Sequence, residues 1–325
     1  MNVKKLAAPS IVLEWETVNE GGIERAVQGL REIGRQIAEL QSQLKGPAEV
    51  IVCYEERDIS EQELEDIFDR AGRGTDWLCR VSLIPVPSGT HYYEKKNTGA
   101  RASSHEIIVF LDTDLIPDPG WLRGLLMAFN DWSLSVLLGA TYLDHASTYE
   151  MAVALFWIFS PATQGLGIQP LRRYSSNNLA FRRSVFLKFP FPMRPTYRGQ
   201  CGELGKTLLD AGIPIREHTD ARATHPPPAG FRGFVHRAWM AGQDEQFYSG
   251  LDQKTSLTTC VRQLRHDYRI ATRRIRERSK MLYPSSSAKI LGWILGCAYY
   301  GIKSAGYLAA LCQKSSHEIP QHSAV

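Results

Sequence analysis

Two acidic side chains, Asp112 and Asp114, follow the apolar run EIIVFL and precede a loop that contains Pro117 and Pro119. An apolar run of this length predicts a buried β-strand, so both carboxylates would emerge where the strand ends. Open α/β sheets bind their ligands at that edge. Hard divalent cations prefer oxygen ligands, and the oxygens of a diphosphate can complete the coordination shell. The pattern therefore predicts a Mn²⁺ or Mg²⁺ site at Asp112 and Asp114, although an isolated pair of this kind also occurs as a solvated turn.

The chain in front of the acidic pair alternates between strand-like and helix-like patterns. Strand-like runs stand at SIVLEWETV (10–18), AEVIVCY (48–54), CRVSLIPV (79–86) and EIIVFLD (106–112). Between them, apolar residues recur every three to four positions over 23–40, and helices are expected near 60–71 and 94–104. This alternation predicts βαβ units. The expected fold is an α/β protein with a mostly parallel, Rossmann-like central sheet flanked by helices.

The residues around the acidic pair resemble those of a known family. Lys96, Asn97, Gly99 and Arg101, followed by EIIVFLDTDLIPDPGWL, are similar to the DxD region of family 2 glycosyltransferases of the GT-A fold. SIVLEWETVNE resembles the first strand and loop of that family, VIVCYEERD its second strand, and NNLAFRRSVF its acceptor-side segment. The resemblance covers roughly residues 9–230 and implies a nucleotide-sugar domain that feeds an acceptor domain.

The resemblance implies roles for individual side chains. Five of them would contact the nucleotide sugar: Asn19, Glu55, Asn97, Arg101 and Asp112. Glu55 would contact the nucleoside base, and Arg101 could face the diphosphate. Asn177 and Asn178 fall in the acceptor-side segment, and His225 stands where some GT-A enzymes place a further metal ligand. Each has an ordinary alternative, because charged turn residues and surface arginines are usually solvated and a lone histidine is more often structural.

One departure from the family pattern concerns the general base. Family members usually carry a Glu-Asp pair ahead of the acceptor helix, and its Asp deprotonates the acceptor hydroxyl. Here the matching residues are Gln200 and Cys201. An amide cannot accept the proton, and a thiol with an ordinary pKa is a poor base. Glu203 is the nearest carboxylate and therefore the candidate base, unless it only caps and orients its helix.

The C-terminal part of the chain combines basic charge with an apolar stretch. Residues 261–280 hold eight Arg and Lys against Asp267 and Glu277, and 288–312 contain only two charges, Lys289 and Lys303. The stretch 288–312 is long enough to cross a bilayer, and Arg-rich flanks mark the cytoplasmic side. The alternative is a buried helix pair that packs on the soluble domain.

These patterns suggest a division of the chain into four parts. A glycosyltransferase domain is expected at 1–235, a basic helical extension at 236–286, a membrane-associated segment at 287–313 and a tail at 314–325. The expected location is the cytoplasmic face of the membrane, because MNVKKLAAPSIVLEWE contains no secretory signal and the six cysteines show no CxxC spacing.

Charge argues against a nucleic-acid partner. Lys and Arg number 38 against 34 Asp and Glu, and their surplus is smaller than the excess of six within 261–280 alone. The remainder of the chain is therefore slightly acidic, whereas a nucleic-acid binder spreads basic charge over its main fold.

The functional prediction is a metal-dependent glycosyltransferase that moves a sugar from a UDP- or GDP-sugar to a hydroxyl of a glycan or lipid-linked acceptor, with inversion implied by the resemblance. Gln200 and Cys201 leave open a catalytically silent relative that binds nucleotide sugar or partner enzymes at the membrane. A nucleotidyltransferase would need a Gly-rich basic phosphate loop after the first strand, where VNEGGIER stands instead.

Overall fold

A computed structural model of the chain describes residues 5–159, 161, 165–171, 174–252 and 256–317. These residues form two units. The α/β unit comprises the described residues of Met1–Tyr142, Ala162–Met193 and Gln200–Pro226, and the helical unit those of Leu143–Pro161, Arg194–Gly199 and Pro227–Val325. This division differs from the expected boundary at 235, because two segments inside 1–235 pack with the helices that follow residue 226.

The helices alternate with strands in the first half of the chain and follow one another at its end. They are α1 (Val18–Gly21), α2 (Ile23–Leu40), α3 (Glu61–Arg70), α4 (Arg73–Asp76), α5 (Tyr92–Ala102), α6 (Trp121–Ala128), α7 (Thr148–Phe156), α8 (Arg183–Lys188), α9 (Gln200–Asp210), α10 (Gly230–Asp252), α11 (Leu257–Leu282) and α12 (Ser286–His317). The helices expected between the first four strands are confirmed.

The α/β unit is built on one sheet, in which nine strands are described. They are β1 (Pro9–Glu14), β2 (Ala48–Glu55), β3 (Cys79–Val86), β4 (Ile107–Asp112), β5 (Ile116–Pro117), β6 (Val136–Leu143), β7 (Ile168–Pro170), β8 (Asn178–Arg182) and β9 (Ile215–His225). The order is β3-β2-β1-β4-β8-β6-β9-β5, with β7 paired to β9.

The strands β3, β2, β1 and β4 are parallel, as expected. The rest of the sheet is not: β8 runs antiparallel to β4 and β6, and β9 runs antiparallel to β5 and β7. The sheet is therefore mixed rather than mostly parallel. Parallel neighbours need a crossover, usually a helix, and the helix–strand alternation in the sequence ends after α6.

Alternate side chains of each central strand enter opposite core layers. On β4, Ile107, Val109 and Leu111 belong to the layer that contains α2 and α6, whereas Ile108 and Phe110 belong to the layer that contains α5, α8 and α9. Both faces of the strand are buried, which explains its unbroken apolar run. Such a strand can deliver polar side chains only at its ends.

The helical unit has a core of its own, formed by α7, α10, α11 and α12. Helices α10 and α12 approach closely at two glycines. A Cβ atom on Gly242 would lie 1.9 Å from the Lys303 carbonyl oxygen, and one on Gly306 would lie 2.3 Å from the Trp239 carbonyl oxygen. These glycines therefore permit close helix packing within this unit.

The apolar stretch 288–312 lies within α12. Of its two lysines, Lys289 is exposed, and Lys303 forms ion pairs with Glu245 on α10 and Asp267 on α11. In the described part of the chain, no helix combines the length and the hydropathy that crossing a membrane requires. Of the expected tail at 314–325, residues 318–325 lie outside the described residues.

Candidate active site

The acidic pair lies at the carboxyl edge of the parallel strands, as its sequence predicts. Asp112 is the last residue of β4, and its register partner on the parallel strand β1 is Glu14. Asp114 follows two residues later and is fully buried. Parallel alignment of β1 and β4 thus brings three carboxylates to one end of the sheet.

Asp114 has a histidine beside it, supplied by the end of β9. Nε2 of His225 lies 3.4 Å from Oδ2 of Asp114. Nδ1 of His225 lies 2.5 Å from the carbonyl oxygen of Pro226, and because a carbonyl only accepts, Nδ1 carries the proton. In the neutral ring, Nε2 then presents a lone pair toward the carboxylate. Two electron-pair donors that face each other in this way are suited to share a metal ion.

This donor set fits a divalent metal ion. A metal-ligating histidine almost always donates its second ring N–H to a carbonyl or carboxylate, as His225 does to Pro226. The 3.4 Å separation is compatible with neighbouring positions in one coordination shell. The sequence-based pairing of Asp114 with His225 is therefore realised in space, whereas binding of metal by either residue stays a prediction.

Arg25, on α2, fixes the backbone at both of these residues. Its Nε donates to the carbonyl oxygen of Asp114 at 2.5 Å, and its Nη2 donates to the carbonyl oxygen of Thr224, the residue before His225, at 2.9 Å. Glycine at position 21 leaves room for Asp114, because a Cβ on Gly21 would lie 2.8 Å from Cβ of Asp114. Sequence reasoning missed Arg25 and Gly21. No local pattern marks them, since their partners are distant in the chain.

Asp112 is compensated by a buried lysine. Nζ of Lys96 lies 2.5 Å from Oδ1 of Asp112 and 2.7 Å from the carbonyl oxygen of Ser176. The hydroxyl of Tyr92 donates to the same Oδ1 at 2.6 Å. Oδ2 of Asp112 accepts no hydrogen bond from the residues that the structure describes. The motif that carries the family resemblance contains Lys96, but sequence analysis assigned no role to this lysine. Lys96 follows Tyr92 by four residues, which places both side chains on one face of the helix.

Glu14 completes the cluster at this edge. Its carboxylate accepts hydrogen bonds from the backbone N–H of Glu16 and Thr17, at 2.7 and 3.1 Å, and from the Thr17 hydroxyl at 2.6 Å. Burial, together with the nearby charge of Asp112, raises the pKa of the Glu14 carboxyl to about 8. Glu14 therefore holds the turn after β1 and adds no full negative charge near neutral pH.

Glu55, at the end of β2, lies at the same edge of the sheet and is tied to its surroundings. Its carboxylate receives the Gly89 backbone N–H at 2.7 Å and Nζ of Lys95 at 2.9 Å, and Lys95 also pairs with Glu16. Burial alone would raise the pKa of Glu55, but the Gly89 N–H and the Lys95 ammonium bring it below its usual value. The carboxylate is thus ionised and orders the loop after β3. Contact with a nucleoside base stays a prediction.

Three further residues that sequence analysis assigns to the donor have different surroundings. The Asn97 carboxamide pairs with the backbone of Phe191, accepting at 3.1 Å and donating at 3.0 Å, so it anchors the loop after α8. Arg101 is exposed and pairs with Glu94 on its own helix. Asn19 is exposed on α1. Of these three side chains, Asn97 is the one whose carboxamide is used to hold another segment of the protein.

The two asparagines of the acceptor-side segment also differ. The Asn178 carboxamide accepts from Trp121 Nε1 at 2.8 Å and donates to the Ala221 carbonyl at 3.2 Å, so it links β8 to its neighbours. Asn177 is buried beside Asp112, whose N–H donates to its carbonyl at 3.0 Å. Nδ2 of Asn177 has no hydrogen-bond partner in the described part of the chain. Asn177 therefore has a donor to offer a ligand, and Asn178 does not.

The expected base region forms the start of α9. Gln200, which replaces an acidic family residue, is fully buried, and its carboxamide lies 3.4 Å from Nε2 of His91. Nδ1 of His91 caps α5 by accepting from the Tyr93 N–H. Glu203, one turn into α9, is partly exposed. The region thus holds a buried neutral amide, and Glu203 is its solvent-accessible carboxylate.

A mixed sheet with an acidic pair and a histidine at one end is consistent with the GT-A fold of glycosyltransferases. The family model of glycosyl transferase family 2 matches residues 28–189. The mannosyltransferase PcManGT from Pyrobaculum calidifontis, solved with GDP-Man and Mn²⁺, superposes with a TM-score of 0.55 at 15% identity, covering 92% of this chain and 86% of that one. GalNAc-T7 with UDP, GalNAc and Mn²⁺ superposes with a TM-score of 0.51 at 14% identity, covering 74% of this chain and 51% of that one. No curated protein sequence matches the chain. Residues 28–189 belong to glycosyl transferase family 2, and the protein is a glycosyltransferase.

Proposed function

We propose that this glycosyltransferase moves a sugar from a UDP- or GDP-sugar to a hydroxyl of a glycan or lipid-linked acceptor and requires Mn²⁺ or Mg²⁺. The observation that carries the proposal is the Asp114–His225 pair at the carboxyl edge of the sheet. Two structures that share the fold were solved with a nucleotide or nucleotide sugar and Mn²⁺, which supports the same ligand classes here.

Asp114 and His225 would hold the cation. No group of three or more His, Cys, Asp or Glu side chains is placed to hold a metal within the described ranges, so the donor's diphosphate would supply further ligands. When bound, the ion neutralises charge that develops on the leaving diphosphate. Arg25 and Gly21 keep Asp114 in place, and Lys96 orients Asp112 so that Oδ2 can accept from the nucleotide sugar or contribute to the metal site.

Glu203 is our candidate for the general base. In a single displacement, its carboxylate would take the proton from the acceptor hydroxyl while the sugar–diphosphate bond breaks, and the anomeric centre would invert. Its partial exposure supports this role, because an acceptor must approach from solvent. The neighbouring Gln200 is buried and has no charge with which to compete.

The experiment is calorimetric titration of the full chain with UDP- and GDP-sugars, with Mn²⁺ or with chelator, followed by assays of sugar transfer and donor hydrolysis. Asp114→Asn should abolish metal-dependent donor binding while the chain stays folded, since an amide is a weaker ligand for a hard cation. Asp66→Asn, on the exposed face of α3, is the matched control. Equal donor affinity in chelator would overturn the metal requirement.

A second candidate function is a silent relative that binds the nucleotide sugar without transferring it. Gln200 favours it, because the family's acidic residue is missing there. Glu203→Gln separates the two. If Glu203 is the base, turnover at saturating donor should fall about 10²–10⁴-fold while Cys201→Ala has little effect. Donor binding with neither transfer nor hydrolysis by the wild-type protein would establish the silent alternative.

A further inference from the structure

The basic residues of α11 divide into two sets with different surroundings. Six exposed cations recur at intervals of three and four residues, which places them on one helix face: Arg262, Arg265, Arg269, Arg273, Arg276 and Lys280. We call these six residues the basic row. Glu277 is the one exposed acidic residue on the described part of this helix.

The other set faces the helical unit. Arg278 is buried and donates to the carbonyl oxygens of Ala154 and Trp157, at 2.7 and 2.9 Å. Arg274 donates to the Phe156 carbonyl oxygen at 3.3 Å. These two arginines therefore hold α7 against α11. Within the described residues, the six side chains of the basic row make no such hydrogen bond to α7.

Large apolar side chains are exposed where α11 turns into α12. Met281 is 50% exposed, Tyr283 85%, Ile290 62% and Ile294 58%. We call these four residues the apolar corner. Ile290 and Ile294 are one turn apart and so lie on one face of α12. An exposed cation, Lys289, stands beside them.

The backbone conformation at Tyr283 is also unusual. Its φ is +48°, and within the described ranges it is the one residue other than glycine with a positive φ. A side chain in this conformation has an energetic cost that glycine would avoid. The Tyr283 ring is almost fully exposed, so packing within the chain does not offset that cost.

We propose that the apolar corner and the basic row form a surface that binds an anionic lipid bilayer, with the helices lying in the interface. Cations near an anionic surface are attracted to its headgroups, and apolar side chains beside them can enter the boundary between headgroups and acyl chains. Tyrosine favours this depth because its ring is apolar and its hydroxyl is polar. Anionic lipid is concentrated in the cytoplasmic leaflet, which agrees with the location expected from the sequence.

The basic row and the apolar corner together favour a lipid bilayer over other partners. A nucleic acid also carries negative charge, but it offers no hydrocarbon to the four exposed apolar side chains. A second copy of the chain would present the same basic row, and like charges would repel. The proposal concerns membrane attachment and does not depend on the sugar-transfer reaction.

The first test is co-sedimentation of the full chain with vesicles of phosphatidylcholine alone or with phosphatidylserine. Binding should require phosphatidylserine and weaken as salt rises. The triple change Arg269→Gln, Arg273→Gln and Arg276→Gln should weaken binding roughly 100-fold. Its matched control is Arg80→Gln, Arg123→Gln and Arg216→Gln, which removes three exposed arginines from the α/β unit and should have little effect.

The second test concerns the apolar corner. The pair Ile290→Ser and Ile294→Ser should weaken binding at least 10-fold, since buried apolar area is lost from the interface. Tyr283→Gly should also weaken binding but leave thermal stability equal or higher, because it relieves the positive φ. Substitution is preferable to truncation here, because deleting α12 would remove part of the helical unit's core.

Three results would overturn the proposal. One is equal binding to both kinds of vesicle. Another is binding that depends on the basic row and not on the apolar corner, with duplex DNA competing at equal affinity, which would define a polyanion site. The last is dimerisation in sedimentation velocity that the Ile290→Ser and Ile294→Ser pair abolishes, which would assign the corner to a self-interface.

Discussion

The two units both bury charged side chains, but they use them differently. In the helical unit, Lys303 lies between Glu245 and Asp267, so two largely buried carboxylates share one ammonium inside the protein. At the sheet edge of the α/β unit, Oδ2 of Asp114 and Nε2 of His225 lie 3.4 Å apart, which suits two ligands of one cation. Burying an ion costs several kcal/mol unless partners compensate it. Matched charges therefore join helices, whereas the arrangement at the sheet edge is suited to binding a cation.

The pKa values show the same contrast. Burial would lower the pKa of Lys303, but Glu245 and Asp267 outweigh it and raise the pKa, so the ammonium stays charged. Burial raises the pKa of Glu14, and its neighbour Asp112 raises it further. At Lys303 the opposite charges outweigh burial, whereas at Glu14 burial and the neighbouring carboxyl of Asp112 shift the pKa in the same direction.

The largest effect on activity should come from the sheet edge. We expect His225→Ala to lower turnover by about 10²–10³-fold and to reduce Mn²⁺ affinity, because one of the two proposed protein ligands is lost. The free energy of unfolding should change far less than turnover. Isothermal titration with Mn²⁺ and urea unfolding measure the two quantities. Full activity of this variant in Mn²⁺ would show that the pair does not hold the ion.

The helical unit should give the opposite pattern. Lys303→Met leaves Glu245 and Asp267 buried without their ammonium, and breaking a buried pair in this way costs about 3–5 kcal/mol. The loss should be smaller at pH 5 than at pH 8, because burial already raises the pKa of Glu245 and this carboxyl can take up a proton. Lys206→Met, which removes the exposed pair with Asp210, is the matched control and should cost less than about 1 kcal/mol. Similar losses in both variants, measured by urea unfolding, would contradict the comparison.

Arg25 should show an intermediate effect, since it acts on the site through the backbone. We expect Arg25→Ala to weaken Mn²⁺ affinity about 10–100-fold, as loss of groups that orient metal ligands does. Arg25→Lys should recover only part of the affinity, because one ammonium cannot reproduce two directed guanidinium hydrogen bonds. Arg31→Ala, one and a half turns further along α2, is the control. Unchanged Mn²⁺ affinity in Arg25→Ala would remove Arg25 from the positioning of the site.

The smallest effect concerns a buried carboxyl of the helical unit that no lysine matches. Asp244 accepts the N–H groups of Tyr197 and Arg198, both at 2.8 Å, yet burial outweighs them and raises its pKa to about 6. A raised pKa means that the native state holds the proton more tightly, so Asp244 loses stabilisation as the pH rises from about 4 to about 6. Relative to Asp244→Asn, the wild type should lose roughly 1–3 kcal/mol across that range. Unfolding curves at pH 4, 5, 6 and 7 test this, and a constant difference would contradict the shift.

Local patterns in the sequence were sufficient to locate the first four strands and the acidic pair. A strand buried on both faces is continuously apolar, and the polar residues that end it stand next to it in the chain. For this reason Asp112 and Asp114 could be placed at the sheet edge without a structure. The pairing of Asp114 with His225 required the family resemblance, because 111 positions separate the two residues.

Only the tertiary structure revealed Arg25, because its hydrogen bonds reach 89 and 199 positions along the chain. The tertiary structure also shows how residues 288–312 pack against other helices. Hydropathy is similar for a membrane span and for a helix packed among other helices, and two lysines in 25 residues are compatible with either structure. The difference lies in Glu245 and Asp267, 58 and 36 positions away, which the fold brings to Lys303. A sequence determines its periodicity residue by residue, but whether a buried charge has a partner depends on which distant segments meet.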